Sequence, residues 1–246
     1  MKGAGIVSGL RKRYRKQAEE LASASRRLAD LGFATSRGGN LSYRVGEDSV
    51  LITPTGFQKK EIRAADILVV RLDGKVEDAR QGLEPTSEAP VHLQIMRRRP
   101  DVRGIIHAHP PVLTGFALAG IDILSRPIHP ELTIELGPVI SLDYTEPTSE
   151  ALVRQFDSVA RKGNAFLMKG HGVMICSPVG IQRALELLEM LEMMAFSAWV
   201  AMSVGKVSEI PGAEINKMEK IMRARKLPMP GGLDPAMTLR RLYSKR

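Results

Sequence analysis

Apolar residues recur every three or four positions in four segments of the chain, which is the spacing of one face of an α-helix. The longest of these segments follows Ser177-Pro178, a pair that favours the start of a helix, and its apolar stripe runs from Ile181 to Trp199. The predicted helices cover residues 17–31, 87–99 and 148–161, and the segment from Ser177 to about Trp199.

Short apolar runs between these segments are bounded by glycine, proline and asparagine, which predicts β-strands. Some of their connections are only long enough for a hairpin, whereas helices separate other strands. The chain is therefore predicted to be α/β, with one mixed, mainly antiparallel sheet covered by helices on both faces. The predicted strands cover residues 41–45, 50–52, 67–70, 103–108, 166–168 and 173–175.

The composition is that of an ordinary globular protein, because 43% of the 246 residues are hydrophobic and 26% are charged. The single cysteine, Cys176, excludes a disulfide framework and is typical of a reducing compartment. The N-terminus does not have the pattern of a signal peptide, and no apolar run approaches the ~18 residues of a membrane span. We therefore expect a cytoplasmic protein without a membrane partner.

The formal net charge is +9, and basic residues concentrate at the two ends of the chain. No zinc-finger, RNA-recognition or aromatic-interleaved basic motif accompanies them, so we expect solvated termini and no specific nucleic-acid partner. An excess of positive charge also attracts phosphorylated metabolites. We expect a basic segment at 1–16, a domain at 17–227, and a basic tail containing proline and glycine at 228–246.

Histidines form the first candidate site. His107 and His109 lie two residues apart in a predicted strand, so their side chains project to the same side and can form a metal-binding pair. Two unrelated histidines near a surface turn would give the same pattern. A third ligand is needed, and His171 is the candidate because Gly170 and Gly172 allow a tight turn around it.

Polar turns form the second candidate site. Glu88 follows Thr86 and Ser87 where a helix is predicted to begin, and hydroxyls with free N–H groups at a helix N-terminus suit an anion. An ordinary helix cap would look the same. The turns Gly38-Gly39-Asn40 and Thr53-Pro54-Thr55-Gly56 are further candidates for phosphate binding, although each alone is consistent with a simple turn.

These segments become specific when they are taken together. In chain order they are Gly39-Asn40-x-Ser42-x-Arg44, Ile52-Thr53-Pro54-Thr55-Gly56, Thr86-Ser87-Glu88, His107-x-His109 and Gly170-His171-Gly172. Their order and spacing resemble the class II aldolase/adducin family, and the resemblance covers roughly residues 15–205. The enzyme type that the chain most resembles is an L-fuculose-1-phosphate aldolase.

The resemblance implies a single three-layer α/β/α domain that assembles as a homotetramer. It implies zinc or another divalent metal, held by His107, His109 and His171 and, in the resting enzyme, by Glu88, which is also the catalytic carboxylate. It further implies a phosphate site. The residues of that site would be Asn40, Thr55, Gly56, Thr86 and Ser87.

The implied reaction is cleavage of a ketose 1-phosphate, similar to L-fuculose 1-phosphate, into dihydroxyacetone phosphate and an aldehyde. The metal would act as a Lewis acid, and Glu88 would move the proton on the adjacent carbon. Related epimerases carry aspartate at this position, so Glu88 favours a lyase. A decarboxylase or dehydratase with the same metal site is an alternative, as is a non-catalytic adducin-like interaction module, against which the intact histidines argue.

The chain also departs from the family pattern. Arg37 stands where the bacterial aldolase has a threonine, and it is expected to reinforce the phosphate site or to hold a second anionic group. The tyrosine that serves that enzyme as proton donor from a neighbouring subunit has no counterpart here. His129 and Glu131 occupy the matching segment, and Tyr243 is a candidate for the C-terminal catalytic tyrosine, so the proton donor stays open.

Overall fold

The computed structural model describes residues 9–230 and 236–244. Within these ranges all the strands belong to one eight-stranded sheet. Glycine, proline and asparagine bound many of their apolar runs, as expected from the sequence. The strands are β1 (Asn40–Arg44), β2 (Ser49–Ile52), β3 (Leu68–Arg71), β4 (Val76–Asp78), β5 (Gly104–Ala108), β6 (Val139–Leu142), β7 (Ala165–Met168) and β8 (Gly172–Ser177).

The sheet is mixed and mainly antiparallel, as predicted. Its spatial order is β4-β3-β2-β1-β5-β8-β7-β6. The neighbours β6 and β7 run parallel, and the other neighbouring pairs are antiparallel. This order places β1, β5 and β8 side by side in the middle of the sheet, where a strand has a partner on each side and its residues are held firmly.

Helices cover both faces of the sheet. Successive side chains of β5 point to opposite faces, so Ile105 packs with residues of the helices on one face and Ile106 with those on the other. The three-layer α/β/α architecture is thus confirmed. The helices are α1 (Gly9–Arg13), α2 (Arg15–Asp30), α3 (Ala89–Arg98), α4 (Pro111–Ala119), α5 (Pro130–Glu135), α6 (Glu150–Val159), α7 (Ile181–Val204), α8 (Gly212–Ala224) and α9 (Leu239–Ser244).

Two predictions about α7 were wrong. The helix begins at Ile181 with Gly180 as its N-cap, because Ser177 still pairs with Gly104 in the sheet. The Ser177 hydroxyl instead accepts hydrogen bonds from the N–H groups of the turn that follows. Trp199 is 53% exposed, and the buried stripe ends at Ala198, which fits the same helical period.

The length and composition of α7 also meet the criteria for a membrane-spanning helix. Its most apolar stretch of 18 residues has a mean hydropathy of 1.4, and 33% of that stretch is buried inside the protein. The sequence pattern had not suggested such a segment. These two criteria are weak evidence, since the core helices of globular proteins also meet them. The buried face of α7 packs against β5 and β8, which is the position of a core helix.

Part of the expected basic tail is packed. The helix α9 lies against α8, and Leu239 and Leu242 are buried there in a small separate cluster with Met222. Residues 231–235 and 245–246 of that tail lie outside the described part of the chain, as do residues 1–8 of the expected basic N-terminal segment.

Candidate metal centre

The middle strands bring the three candidate histidines to one end of the sheet. His107 is in β5, opposite Asn40 of β1, and His109 follows one residue after the strand ends. Ala108 pairs with Val173 of β8, which places His171, just before that strand, beside the same end. Strand register therefore assembles residues that are far apart in the chain.

The three imidazoles are close enough to share one ion. Their ring centroids are 4.6 Å apart for His107 and His109, 4.6 Å for His107 and His171, and 5.4 Å for His109 and His171. One ring nitrogen from each lies within 4.8 Å of the others. Glu88 joins them, with its Oε2 3.4 Å from Nε2 of His107 and its Oε1 3.7 Å from Nε2 of His171.

The tautomer of His107 follows from its hydrogen bond. Its Nδ1 is 3.0 Å from the Val173 carbonyl oxygen, and a carbonyl only accepts, so Nδ1 carries the proton. The Nε2 lone pair is then free and faces Glu88. A backbone carbonyl that fixes the second ring nitrogen in this way is the usual support of a metal-binding histidine.

The other two histidines are uncharged and incompletely bonded. Burial, followed by the neighbouring His107, lowers the pKa of both His109 and His171 to about 4, although Glu88 opposes this shift. Among the described residues, the buried Nδ1 atoms of both rings have no hydrogen-bond partner. Three imidazoles and one carboxylate are a donor set that suits zinc and similar divalent ions, so these residues fit the implied metal.

Glycine is required beside the histidines. A Cβ on Gly172 would lie 2.5 Å from the Ala108 carbonyl oxygen and 2.6 Å from Cδ2 of His109. These separations are too short for any larger side chain without a movement of the cluster. The φ angle of Gly172 is not positive, so its backbone conformation does not require glycine. The close approach of Ala108 and His109 to its Cα explains why glycine stands at this position.

Glu88 is the N-cap residue of α3 and is only 6% exposed. Burial alone would raise its pKa. His107, the hydrogen bond from Asn40, His171 and His92 together outweigh that effect, and the net pKa is lowered. Glu88 is therefore a carboxylate at neutral pH, although it is buried.

The Asn40 side chain is directed at Glu88. Its Nδ2 donates to Oε2 of Glu88 at 2.6 Å, and its Oδ1 lies 2.6 Å from Nε2 of His92. The sequence analysis had placed Asn40 in a phosphate site. The contacts place Asn40 and His92 in one hydrogen-bonded group with Glu88.

A cavity of about 210 Å³ opens onto the histidines. Its lining includes all the residues that were predicted to bind phosphate, so the turns around Asn40, Thr55 and Thr86 meet at one place. Arg37 also lines it, with an exposed side chain. His129, Glu131 and Tyr243, the three candidates for the proton donor, are not among its lining residues in this chain.

Lys59 lines the same cavity and was not identified from the sequence, where Lys59-Lys60 resembles a solvated charged pair. The residue is only 2% exposed. Its Nζ donates to the carbonyl oxygens of Arg37 at 2.9 Å and Phe57 at 3.1 Å. Burial lowers the pKa of Lys59 to about 8, and its ammonium connects two of the polar turns.

Thr148 is a second lining residue that the sequence did not indicate. Its φ is +65°, an unfavourable value for a β-branched residue. Strained conformations of this kind concentrate at functional sites. The position of this strained residue beside the histidines supports the view that the cavity is the functional site.

Comparison with known proteins gives consistent results. A family model described as Class II Aldolase and Adducin N-terminal domain matches residues 19–199. The chain is 28% identical to a 3,4-dihydroxyphthalate decarboxylase from Arthrobacter keyseri, over 81% of this chain and 85% of the relative. It is also 28% identical to a 5-methylthioribulose-1-phosphate/5-deoxyribulose-1-phosphate aldolase from Rhodospirillum rubrum, over 80% and 87% of the two chains.

Solved structures share the fold. A structure of an L-fuculose 1-phosphate aldolase superposes with a TM-score of 0.76 at 24% sequence identity, and it covers 90% of this chain and 100% of its own. At this identity the likeness concerns the fold alone. The relatives include a decarboxylase and an aldolase of nearly equal similarity, so the similarities leave the substrate open.

Proposed function

The chain belongs to the class II aldolase/adducin family, and on that premise we propose that it is a metal-dependent lyase that cleaves a ketose 1-phosphate into dihydroxyacetone phosphate and an aldehyde. One observation carries the proposal: three imidazoles and a buried carboxylate line the same small cavity as several hydroxyl and N–H groups. The first set suits a divalent metal, and the second suits a phosphate.

His107, His109 and His171 would hold zinc or another divalent ion, and Glu88 would be a further ligand in the resting enzyme. A bound divalent ion supplies a Lewis acid where negative charge develops on the substrate carbonyl oxygen. The support for this assignment is the orientation of His107 by the Val173 carbonyl and the unpartnered buried nitrogens of the other two rings.

Glu88 is the residue that we assign to proton transfer. In the condensation direction it removes a proton from the carbon next to the carbonyl of dihydroxyacetone phosphate. In the cleavage direction it gives that carbon a proton that it has taken up from solvent, while the group beside the aldehyde oxygen accepts the proton of the substrate hydroxyl. Its Oε2 is held by Asn40, whereas its Oε1 receives no hydrogen bond from Asn40 and is the oxygen that we assign to the proton. The lowered pKa keeps it ready to accept.

The polar turns position the substrate. Thr55, Gly56, Thr86 and Ser87 offer hydroxyl and backbone N–H groups to the phosphate, and the ammonium of Lys59 adds positive charge beside them. These groups fix the distance between the reacting carbon and Glu88 without taking part in bond cleavage. We propose that the side chain of Asn40 holds Glu88 and does not bind the phosphate.

A decarboxylase is the second candidate. Arg37 and Lys59 line the cavity together, so a phosphorylated 3-oxo acid would have one cation for its phosphate and one for its carboxylate. Loss of carbon dioxide leaves the same enolate-type product as aldol cleavage, so the metal-binding residues serve either reaction. A dehydratase of the same type is a weaker candidate, and the intact histidines and Glu88 argue against a non-catalytic adducin-like module.

The test is a substrate panel with zinc-loaded protein. L-fuculose 1-phosphate, ribulose 1-phosphate and 5-deoxyribulose 1-phosphate are each incubated with enzyme while dihydroxyacetone phosphate is measured. Phosphorylated and unphosphorylated 3-oxo and hydroxy acids are assayed in parallel for carbon dioxide. Release of dihydroxyacetone phosphate that is lost in His109→Ala supports the aldolase, and carbon dioxide release alone supports the decarboxylase.

We also propose a cytoplasmic homotetramer with no membrane or specific nucleic-acid partner, and a domain that covers residues 17–227. Support for self-association comes from α7, whose outward side exposes apolar residues including Met193, Phe196, Trp199 and Val200. The proton donor for the aldehyde oxygen would be His129, Glu131 or Tyr243 from a neighbouring subunit, since none of them lines the cavity within one chain.

A further inference from the structure

Four buried polar side chains form one continuous hydrogen-bonded chain that ends on Glu88. The Ser42 hydroxyl is 2.7 Å from Nδ1 of His92, Nε2 of His92 is 2.6 Å from Oδ1 of Asn40, and Nδ2 of Asn40 is 2.6 Å from Oε2 of Glu88. Ser42 and His92 are fully buried, and Asn40 and Glu88 are each 6% exposed.

The direction of every hydrogen bond in this chain is determined by its end. A carboxylate only accepts, so Asn40 must turn its NH₂ group toward Glu88 and its carbonyl oxygen toward His92. His92 must then donate from Nε2, which leaves Nδ1 as an acceptor for the Ser42 hydroxyl. Of the two neutral tautomers of His92, only the Nε2–H form satisfies all three bonds. A doubly protonated ring would satisfy them as well, with the Ser42 oxygen as acceptor, but burial lowers the pKa of His92 to about 3 and therefore favours the neutral form.

Without His92 the Asn40 amide would lose the partner that distinguishes its two ends. The carbonyl oxygen of Asn40 would then be buried without this hydrogen bond, and a buried polar group that lacks a partner is costly. The amide would therefore be held less firmly against Oε2 of Glu88. Ser42 supports His92 in turn, because its hydroxyl gives the buried Nδ1 of the ring a hydrogen-bond partner at 2.7 Å.

We propose that Ser42 and His92 are positioning residues, which act through Asn40 to hold Oε2 of Glu88 and direct Oε1 toward the reacting carbon. The Asn40 side chain accordingly serves Glu88 and not the substrate phosphate. This inference rests on the proposed role of Glu88 as the proton-transfer group. It assigns a function to a histidine that lies outside the metal-binding set, four residues from Glu88 on α3.

The variants His92→Leu and His92→Gln test the proposal as a matched pair. Leucine cannot donate to Asn40, whereas the glutamine amide can place a donor near the position of Nε2. We measure solvent exchange of the carbon-bound proton of dihydroxyacetone phosphate, which reports Glu88 directly, together with zinc content and competitive inhibition by inorganic phosphate. Thermal unfolding shows whether each variant is folded.

The rate of proton exchange in His92→Leu should fall by about 100-fold, the usual contribution of a well-placed general base. In His92→Gln the rate should be at least about tenfold higher than in His92→Leu. Zinc content and the inhibition constant of phosphate should stay within about twofold in both, because the hydrogen bonds of the His92 side chain go to Ser42 and Asn40 and not to the metal-binding histidines or to the polar turns that we assign to phosphate. A residue with only a packing role would not separate exchange from phosphate binding. Wild-type exchange in a folded, zinc-loaded His92→Leu protein would overturn the proposal.

Asn40→Ala provides the second comparison. The proposal predicts that it reduces proton exchange as strongly as His92→Leu and leaves phosphate inhibition unchanged. If Asn40→Ala instead weakens inhibition by phosphate tenfold and leaves exchange intact, Asn40 belongs to the phosphate site and the proposal is wrong.

Nuclear magnetic resonance of the ligand-free protein keeps this inference separate from the proposed function. In ¹⁵N-histidine-labelled protein, His92 should be neutral at pH 7, with its proton on Nε2, and the Asn40→Ala variant should alter that resonance. A proton on Nδ1 in place of Nε2 would contradict the hydrogen-bonded chain even if every substrate in the panel were cleaved. If no substrate is cleaved but this tautomer is observed, the lyase assignment fails while the positioning of Glu88 stands.

Discussion

Replacing Gly172 with alanine should damage the metal centre while the rest of the fold is retained. The new Cβ would lie 2.6 Å from Cδ2 of His109 and 3.3 Å from Cε1 of His107. The Cβ would also lie 2.5 Å from the Ala108 carbonyl oxygen. That oxygen belongs to the backbone of β5, which is held by pairing with β1 on one side and β8 on the other. The His109 ring is the part that can move.

Ordinary contact begins at about 3.4 Å, so the ring must move by about 0.8 Å. A displacement of about 1 Å in a catalytic group reduces activity roughly 100-fold, and a disturbed ligand set weakens metal binding by about 10- to 100-fold. Overpacking of this size also lowers the free energy of unfolding by about 1–3 kcal/mol. We therefore expect Gly172→Ala to fold with reduced stability and to bind zinc weakly.

The assay is zinc titration of chelator-treated protein against a colorimetric competitor, together with urea unfolding. Gly115→Ala is the matched control, because Gly115 lies within α4 and a Cβ there meets no atom within 4 Å. That control should gain about 0.5–1 kcal/mol of stability and keep its zinc affinity. Wild-type zinc affinity and activity in Gly172→Ala would refute the reasoning that close approach to the histidines requires glycine.

Three further predictions concern the surroundings of the site. Lys59→Met should raise the KM of a phosphorylated substrate about tenfold or more with little change in kcat. Burial lowers the pKa of Lys59 from 10.5 to about 8, so between these pH values the unfolded chain binds more protons than the folded protein. The free energy of unfolding should therefore rise with pH across that range in the wild type and rise less in the variant. Identical pH profiles of the two proteins would contradict this. Arg99→Met should lower the free energy of unfolding in urea by about 3 kcal/mol or more, because it removes a buried guanidinium that donates to Asp101, Asn164 and two backbone carbonyls. The control Arg154→Met, on the exposed face of α6, should leave that free energy nearly unchanged. Sedimentation should find a tetramer that Trp199→Glu dissociates, and an active wild-type monomer would exclude the proposed assembly.

The middle of the fold could be predicted from the sequence because its strands are apolar runs or, as in β1, alternate apolar and polar residues. The edges could not. In β4, Val76 and Glu77 are exposed, so no apolar run marks the strand. The helix α4 was missed because Pro110, Pro111 and Gly115 interrupt its pattern, although prolines at a helix N-terminus are well tolerated.

The candidate site was only partly accessible in the same way. His107 and His109 share one side of a strand, and this alternation is visible in the sequence. The bond between Asn40 and His92 joins residues 52 positions apart and depends on how α3 packs against the sheet, for which a single sequence carries no signal. Lys59 was hidden because burial of a lysine is decided by the packing around it, and its neighbour Lys60 suggested an exposed pair.

The central claim is that Glu88 transfers a proton at a carbon held beside a metal bound by the three histidines. Its most direct test is the rate at which zinc-loaded protein exchanges the carbon-bound proton of dihydroxyacetone phosphate with D₂O, in wild type and in Glu88→Gln at equal zinc content. Glutamine keeps the size of the side chain but removes its basicity, so exchange should fall by about 100-fold or more. Near-normal exchange in Glu88→Gln with full zinc occupancy would contradict the account and show that another residue is the base.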